Sequence, residues 1–214
     1  MEEQILQTAY GLFTSQGIQP FTMDEISSRM AISKKTLYRF FDSRTHLVQR
    51  VCSLVKANYD RDMAAIAPGA NTLQQMMRFM AVNIAFCKRT SPTFFTDLQK
   101  HYPAESASLV ASLNSTVQQT VLKLLEQGIV EGVFRGNLHP QLVVAILQQH
   151  IKKDFEFAAE LVNDYSKDEV FRQAMYLFMY GIIAPGAIAQ LESELTTYAF
   201  PANLEQHNEN HLYQ

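Results

Sequence analysis

The sequence predicts an all-α protein, with a small N-terminal three-helix head and a larger C-terminal helical body. Three observations carry this expectation. Apolar residues recur at spacings of three and four along almost the whole chain. Glycine and proline number only 8 and 7 in 214 residues, too few for the turns of a strand-rich fold. Ser, Thr or Asn residues stand just ahead of several of the apolar runs, where helix caps belong.

The first helix is expected over residues 3–16, with Ile5, Leu6, Ala9, Leu12 and Phe13 on its buried face. Gly17 ends it in the left-handed conformation. Thr22-Met23-Asp24-Glu25 is a capping box for the second helix, in which Ile26 and Met30 face inward. Ala31-Ile32-Ser33 is a tight turn, and Ser33 caps the third helix. There Leu37, Phe40 and Phe41 pack inward and leave Lys34, Lys35, Thr36, Tyr38 and Arg39 outside. A short basic helix held across another is the arrangement that enters a DNA major groove.

Charge supports a localised contact. Net charge is −3, yet residues 1–60 carry seven Lys/Arg against six Asp/Glu. Between Ser27 and Arg44 stand Arg29, Lys34, Lys35, Arg39 and Arg44 against the single acid Asp42. A solvated basic surface would account for the lysines, but not for an exposed Tyr38 at this spacing.

The stretch from Ile5 to Val48 resembles the N-terminal domain of the TetR family of bacterial regulators. The likeness rests on Ala9-x-x-Leu12-Phe13, Gly17, Thr22, Ile26, Ser33, Leu37-Tyr38, Phe40-Phe41 and Arg44. The resemblance implies a homodimer, a double-stranded DNA operator with two related half-sites, and repression relieved by a small organic ligand. It also implies that Thr22, Tyr38 and Arg44 contact phosphates and that Lys34, Lys35, Thr36 and Arg39 lie nearest base edges, with Ser33 at the start of the same face. Three positions depart from the family pattern. Ala31 stands where the turn commonly has Gly, at a cost of ~1 kcal/mol if φ must be positive. Lys35 replaces a residue that is often small, and Arg44-Thr45 replaces Lys-Glu.

Ser43 is expected to cap a fourth helix reaching about Ala67, before Pro68-Gly69. Further helices are expected from Asn71 or Thr72 to Arg89, Pro92 to Lys100, Pro103 to about Gly132, Pro140 to about Asn163, Ser166 or Lys167 to Gly181, and Ala187 to about Tyr198. The expected division is a DNA-binding head at 1–47, a ligand-binding and dimerisation body at 48–200, and a polar tail at 201–214. The helices 140–163 and 167–181 are apolar on more than one face, which suits a two-fold contact between copies.

No catalytic motif is present: no phosphate-binding Gly loop, nucleophile elbow, His-Glu-x-x-His or Cys-x-x-Cys. His207 and His211 have helical metal spacing but sit in the polar tail, so no metal or cofactor is expected. Cys52 and Cys87 fall in apolar helical patterns and read as free thiols. Glu2 and Glu3 replace the basic start of a signal peptide, and no uncharged apolar run could span a bilayer, so a cytoplasmic protein is expected. Met and aromatic side chains in the body suit either a core or an apolar pocket. Polar interruptions of apolar stripes nominate Asn83, Cys87, Gln118, Gln148 and His150 as pocket residues, with Phe86, Phe94, Phe95, Tyr102 and Tyr176 as walls. The competing class is a small-molecule carrier with an unused head, favoured by Ala31 and the acidic balance and opposed by the local basic face.

Overall fold

The computed structural model describes residues 1–66, 71–148 and 167–197. Its helices are α1 Glu2–Gln16, α2 Met23–Arg29, α3 Lys34–Phe40, α4 Arg44–Ala64, α5 Thr72–Arg89, α6 Pro92–His101 and α7 Pro103–Val130. They continue with α8, helical over 140–148, α9 Lys167–Ile182, a 3-10 turn Pro185–Ala187 and α10 Ile188–Thr197. Among the described residues there is no strand, only an isolated antiparallel bridge between Phe134 and Ile183.

The caps are formed by the expected side chains. The Thr22 hydroxyl accepts from the Glu25 amide, and the Glu25 carboxylate accepts from the Thr22 amide. Ser33, Ser43 and Asn71 cap α3, α4 and α5, each accepting from the amide three residues on. α4 stops at Ala64, three residues short of the expected end, with Ala65 as its C-cap. Pro68-Gly69, the second half of the helix expected over 140–163, His150 and the tail with His207 and His211 lie outside the described residues.

α4 ties the fold together. Its Leu47, Val48 and Val51 are fully buried, in one continuous apolar cluster that includes Ile5, Phe13 and Phe41 of the head and Leu73, Phe94 and Leu125 of the body. It packs on α1, α5 and α7. α7 has 28 residues, a rod of about 42 Å. Its buried stripe is the expected one, Leu109, Leu113, Val117, Val121, Leu124 and Leu125. Beyond it, Phe134 is buried, and the Arg135 guanidinium donates to the Ile183 carbonyl at 2.9 Å, pinning the turn after α7 to the end of α9.

A second junction joins α1 to α6. Gly17 has φ 91° and ψ 172°, so it is not left-handed helical as expected but in the extended positive-φ region that only glycine occupies readily. A Cβ there would also stand 2.7 Å from Thr93 Cγ2 and 2.8 Å from Asp97 Oδ2. The next residues present their amides to α6: Ile18 and Gln19 donate to Asp97 Oδ2 at 2.7 and 2.9 Å. The Ser91 amide donates to the Thr14 carbonyl at 2.6 Å.

Replacing Asp97 by Ala would strand the buried Ile18 amide and weaken the Gln19 one. The expected loss is about 2–3 kcal/mol in chemical denaturation. Asp97→Asn keeps an acceptor oxygen and should lose less. Equal losses for both variants would mean that the amide bonds are not what Asp97 contributes.

Candidate nucleic-acid interface

α2 and α3 are each seven residues long, and the turn between them sets their crossing. Ala31 has φ 53°, the only positive φ of a non-glycine residue among those described. Its amide donates to the Ser28 carbonyl, and the Ile32 amide to the Ser27 carbonyl. The positive φ that the sequence made conditional is therefore present, and Ala31 bears its steric cost. The Ser33 hydroxyl then accepts from the Thr36 amide at 3.0 Å and lies 2.8 Å from the Thr36 hydroxyl.

Leu37 and Phe41 are fully buried and seat α3 on the head. This leaves Lys34, Lys35, Tyr38 and Arg39 exposed, with Thr36 half-buried. Tyr38 is 47% exposed, unusual for so large a ring in a core-forming helix. Phe40 is half-buried rather than core, and the Arg39 guanidinium lies over its ring at 4.8 Å. Arg29 covers Phe21 in the same way at 5.1 Å. Thr22 is exposed at the start of α2.

Two basic side chains have partners that the sequence reading did not foresee. Arg44, expected at a phosphate, turns inward: its Nη2 donates to the Ile18 carbonyl at 2.7 Å and its Nε is buried. The Ile18 carbonyl already accepts from the Phe21 amide at 3.2 Å, and Arg44, at the first position of α4, adds a charged second donor. Lys34 Nζ stands 2.5 Å from Asp24 Oδ2, bridging α3 to α2. Asp24 was read only as part of the cap sequence; its distance from Lys34 depends on the α2–α3 crossing.

The model for the tetR family of bacterial regulatory proteins matches residues 5–51, the segment just described. The head is thus similar to the DNA-binding domain of that family. The transcriptional repressor KstR2 of Rhodococcus jostii RHA1 is 21% identical over 149 residues, which cover 68% of this chain and 73% of that protein. A TetR-family regulator from Marinobacter aquaeolei VT8 superposes with a TM-score of 0.72 at 14% identity, over 92% of this chain and 98% of its own. A regulator from Saccharomonospora viridis, solved in complex with choline, superposes with a TM-score of 0.71 at 17% identity, over 85% and 97%. At such identities the structural likeness establishes the fold of the body: the TetR-type head stands on a TetR-type helical body. The relatives are transcriptional regulators, not enzymes. Among the described residues no helix is long and apolar enough to cross a membrane.

Behind the TetR-type head, the nine pocket nominees among the described residues do not all come together, and His150 lies outside those residues. Asn83, Phe86, Phe94 and Phe95 do come together. The Tyr59 hydroxyl donates to Asn83 Oδ1 at 2.9 Å, and Asn83 Nδ2 donates to the Phe79 carbonyl at 2.8 Å. Phe86 meets Tyr59 edge-on at 5.1 Å between centroids, and Phe95 contacts both Phe86 and Phe94. Burial pushes the Tyr59 hydroxyl up, against the opposing effect of its bond to Asn83, so it remains a donor. Cys87 and Tyr102 are half-buried nearby in sequence. Gln118 is exposed, and Gln148 donates to the Asn114 carbonyl at 3.1 Å on the same stretch of α7. Tyr176 pairs with Tyr180 on α9, 6.3 Å between centroids.

Between α4 and α7 runs an open groove of about 620 Å³ lined by Gln49, Cys52, Lys56, Asp60, Glu105, Ser108 and small neighbours. None of the nominated residues lines it. The Cys52 thiol at its floor is pushed up to about 12 by burial and by the Glu105 carboxylate, so it stays protonated at neutral pH.

Relieving Ala31 is the direct test of the turn. Ala31→Gly removes the left-handed penalty but frees the unfolded chain, so the net gain in unfolding free energy should be about 0.5 kcal/mol at most, read as a higher denaturation midpoint. A loss of stability would show that the turn does not bear strain at this residue.

Proposed function

We propose that this protein is a ligand-responsive transcriptional regulator of the TetR type, a repressor that grips an operator of two related half-sites as a homodimer. The observation that carries the reading is the outward face of α3. Lys34, Lys35, Tyr38 and Arg39 are exposed on a helix seated by fully buried Leu37 and Phe41. In this reading the N-terminal end of α3 enters the major groove. Lys34, Lys35, Thr36 and Arg39 approach base edges, and Thr22, Ser33 and Tyr38 approach phosphates. Arg44 keeps a structural role at Ile18 and adds positive charge near the backbone. The head comprises 1–47 and the body 48–200, with 201–214 as tail.

Dimerisation is supported by apolar side chains on the outer surface of α8 and α9. Leu142 and Ile146 on α8 are 57 and 51% exposed, and Leu177 and Tyr180 on α9 are 76 and 39% exposed. A matching surface on a second copy would cover them, and a two-fold pairing of two helices from each copy does so with one patch. Release from DNA would follow entry of a small apolar or amphipathic molecule into the body. The candidate seat is the place where nominated residues gather, Phe86, Phe94 and Phe95 around Tyr59, because aromatic walls suit such a ligand. The choline complex of the Saccharomonospora protein supports a small organic ligand in this fold.

Selection of bound duplexes from a random pool tests the reading. The expected result is an inverted repeat, bound with log affinity falling steeply in log salt. Tyr38→Phe should weaken binding evenly across sequences, whereas Lys35→Ala should also relax base preference. Failure to enrich any sequence, with the chain folded and dimeric, would favour a carrier. Leu177→Glu should convert the dimer to monomer in sedimentation at micromolar concentration; a wild-type chain that is already monomeric there would refute the dimer.

A further inference from the structure

We infer that Asp24 is a specificity-determining residue of the DNA-reading face, and that it acts by withholding Lys34 from phosphate oxygens; this rests on the DNA-binding function proposed above. The Lys34 ammonium and the Asp24 carboxylate stand 2.5 Å apart, with the two side chains 62 and 59% exposed. Asp24 is in the first turn of α2 and Lys34 begins α3, so the pair bridges the two helices at the end of α3 that enters the groove.

The cap of α2 is completed by Thr22 and Glu25 without the Asp24 carboxylate, whose place in the first turn adds a modest helix-dipole contribution, and the Asp24 carbonyl accepts from the Ser27 hydroxyl. An ion pair this exposed adds little to stability. On a surface meant to meet phosphates, a carboxylate also opposes binding through like-charge repulsion. Its position is explained if what matters is the difference between two affinities rather than either one.

The chemistry of the ammonium supplies that difference. Lys34 has three N–H donors, and Asp24 takes one. On an arbitrary duplex the protein is held by phosphates, and a lysine swung onto the backbone would add one more released counterion, about 0.9 in the salt slope. The bond to Asp24 competes with that swing and holds Lys34 over the groove side of α3. On the correct half-site, base-edge acceptors such as guanine O6 and N7 can take the remaining two donors while the Asp24 bond persists. Asp24 therefore weakens the arbitrary complex more than the specific one.

The test uses the full chain, as wild type and as Asp24→Asn, titrated with the selected operator and with a random duplex of equal length over a salt series. Asp24→Asn should raise random-duplex affinity about two- to fivefold and steepen its salt slope by about one. Operator affinity should change less, so that the ratio of the two falls. The same measurement on Lys34→Ala, with and without Asp24→Asn, isolates the route: without Lys34 the random-duplex gain should shrink to the smaller part that like-charge repulsion supplies, and the extra salt slope should disappear. A gain that survives undiminished would mean that Asp24 acts through its own charge alone and would overturn the inference. An unchanged or higher ratio in Asp24→Asn, with wild type binding its operator, overturns this inference alone. A folded wild type that binds neither duplex overturns the DNA-binding reading, and this one with it.

Discussion

Between α1 and α2 the chain passes through Ile18, a fully buried residue whose backbone has no regular helix to satisfy it. Its amide is taken by Asp97 from α6, and its carbonyl accepts from the Phe21 amide and from Arg44 of α4. Asp97 and Arg44 carry charge, which makes such bonds shorter and stronger than neutral ones. Without Asp97 the buried Ile18 amide would be unpaired, and without Arg44 the carbonyl would keep only the Phe21 amide. Gly17 is part of the same constraint, since any side chain there would fill the space in which Asp97 meets the amides. α1, α4 and α6 thus meet at one residue, and α3 is placed by what they hold.

This junction also separates what the sequence discloses from what it does not. Helices and their caps were legible because their causes lie within a few residues: Thr22 with Glu25, Ser33 with Thr36, Ser43 with His46. The buried stripe of α7 was legible for the same reason, as a periodicity. Asp97 lies 79 positions from the amide it accepts, and no local pattern points across that distance. A faint signal existed, because Asp97 falls between Phe94 and Leu98 on the apolar side of α6, where an acid must find partners. Arg44 has a contact that no local pattern shows: only the folded loop reveals that its guanidinium donates to the Ile18 carbonyl.

The nominated pocket illustrates the harder limit. A polar residue in an apolar stripe marks a need for a hydrogen bond, not a ligand. Asn83 meets that need through Tyr59 and its own helix, and Gln148 through the Asn114 carbonyl. Gln118 has no such need, being exposed. The aromatic residues were better guides, because rings on successive turns of α5 and α6 must pack somewhere and Phe86, Phe94 and Phe95 pack on one another. Helical spacing shows which residues share a face. Which faces then enclose a space depends on crossing geometry that spacing does not contain.

Asp24 and Asp97 are acids of the same chemistry with opposite physical weight. Asp97 is 9% exposed and accepts from amides that water cannot fully reach, so its removal is felt as stability. Asp24 is open to solvent, and its ion pair with Lys34 is screened by water and salt, so its removal should barely register there. A residue that contributes little to the fold can still bear on recognition, because the surface around it carries Lys34, Lys35 and Arg39 and the partner proposed for it is a polyanion. The buried carboxylate sets where the head sits; the exposed one sets how freely one of its cations can reach for charge.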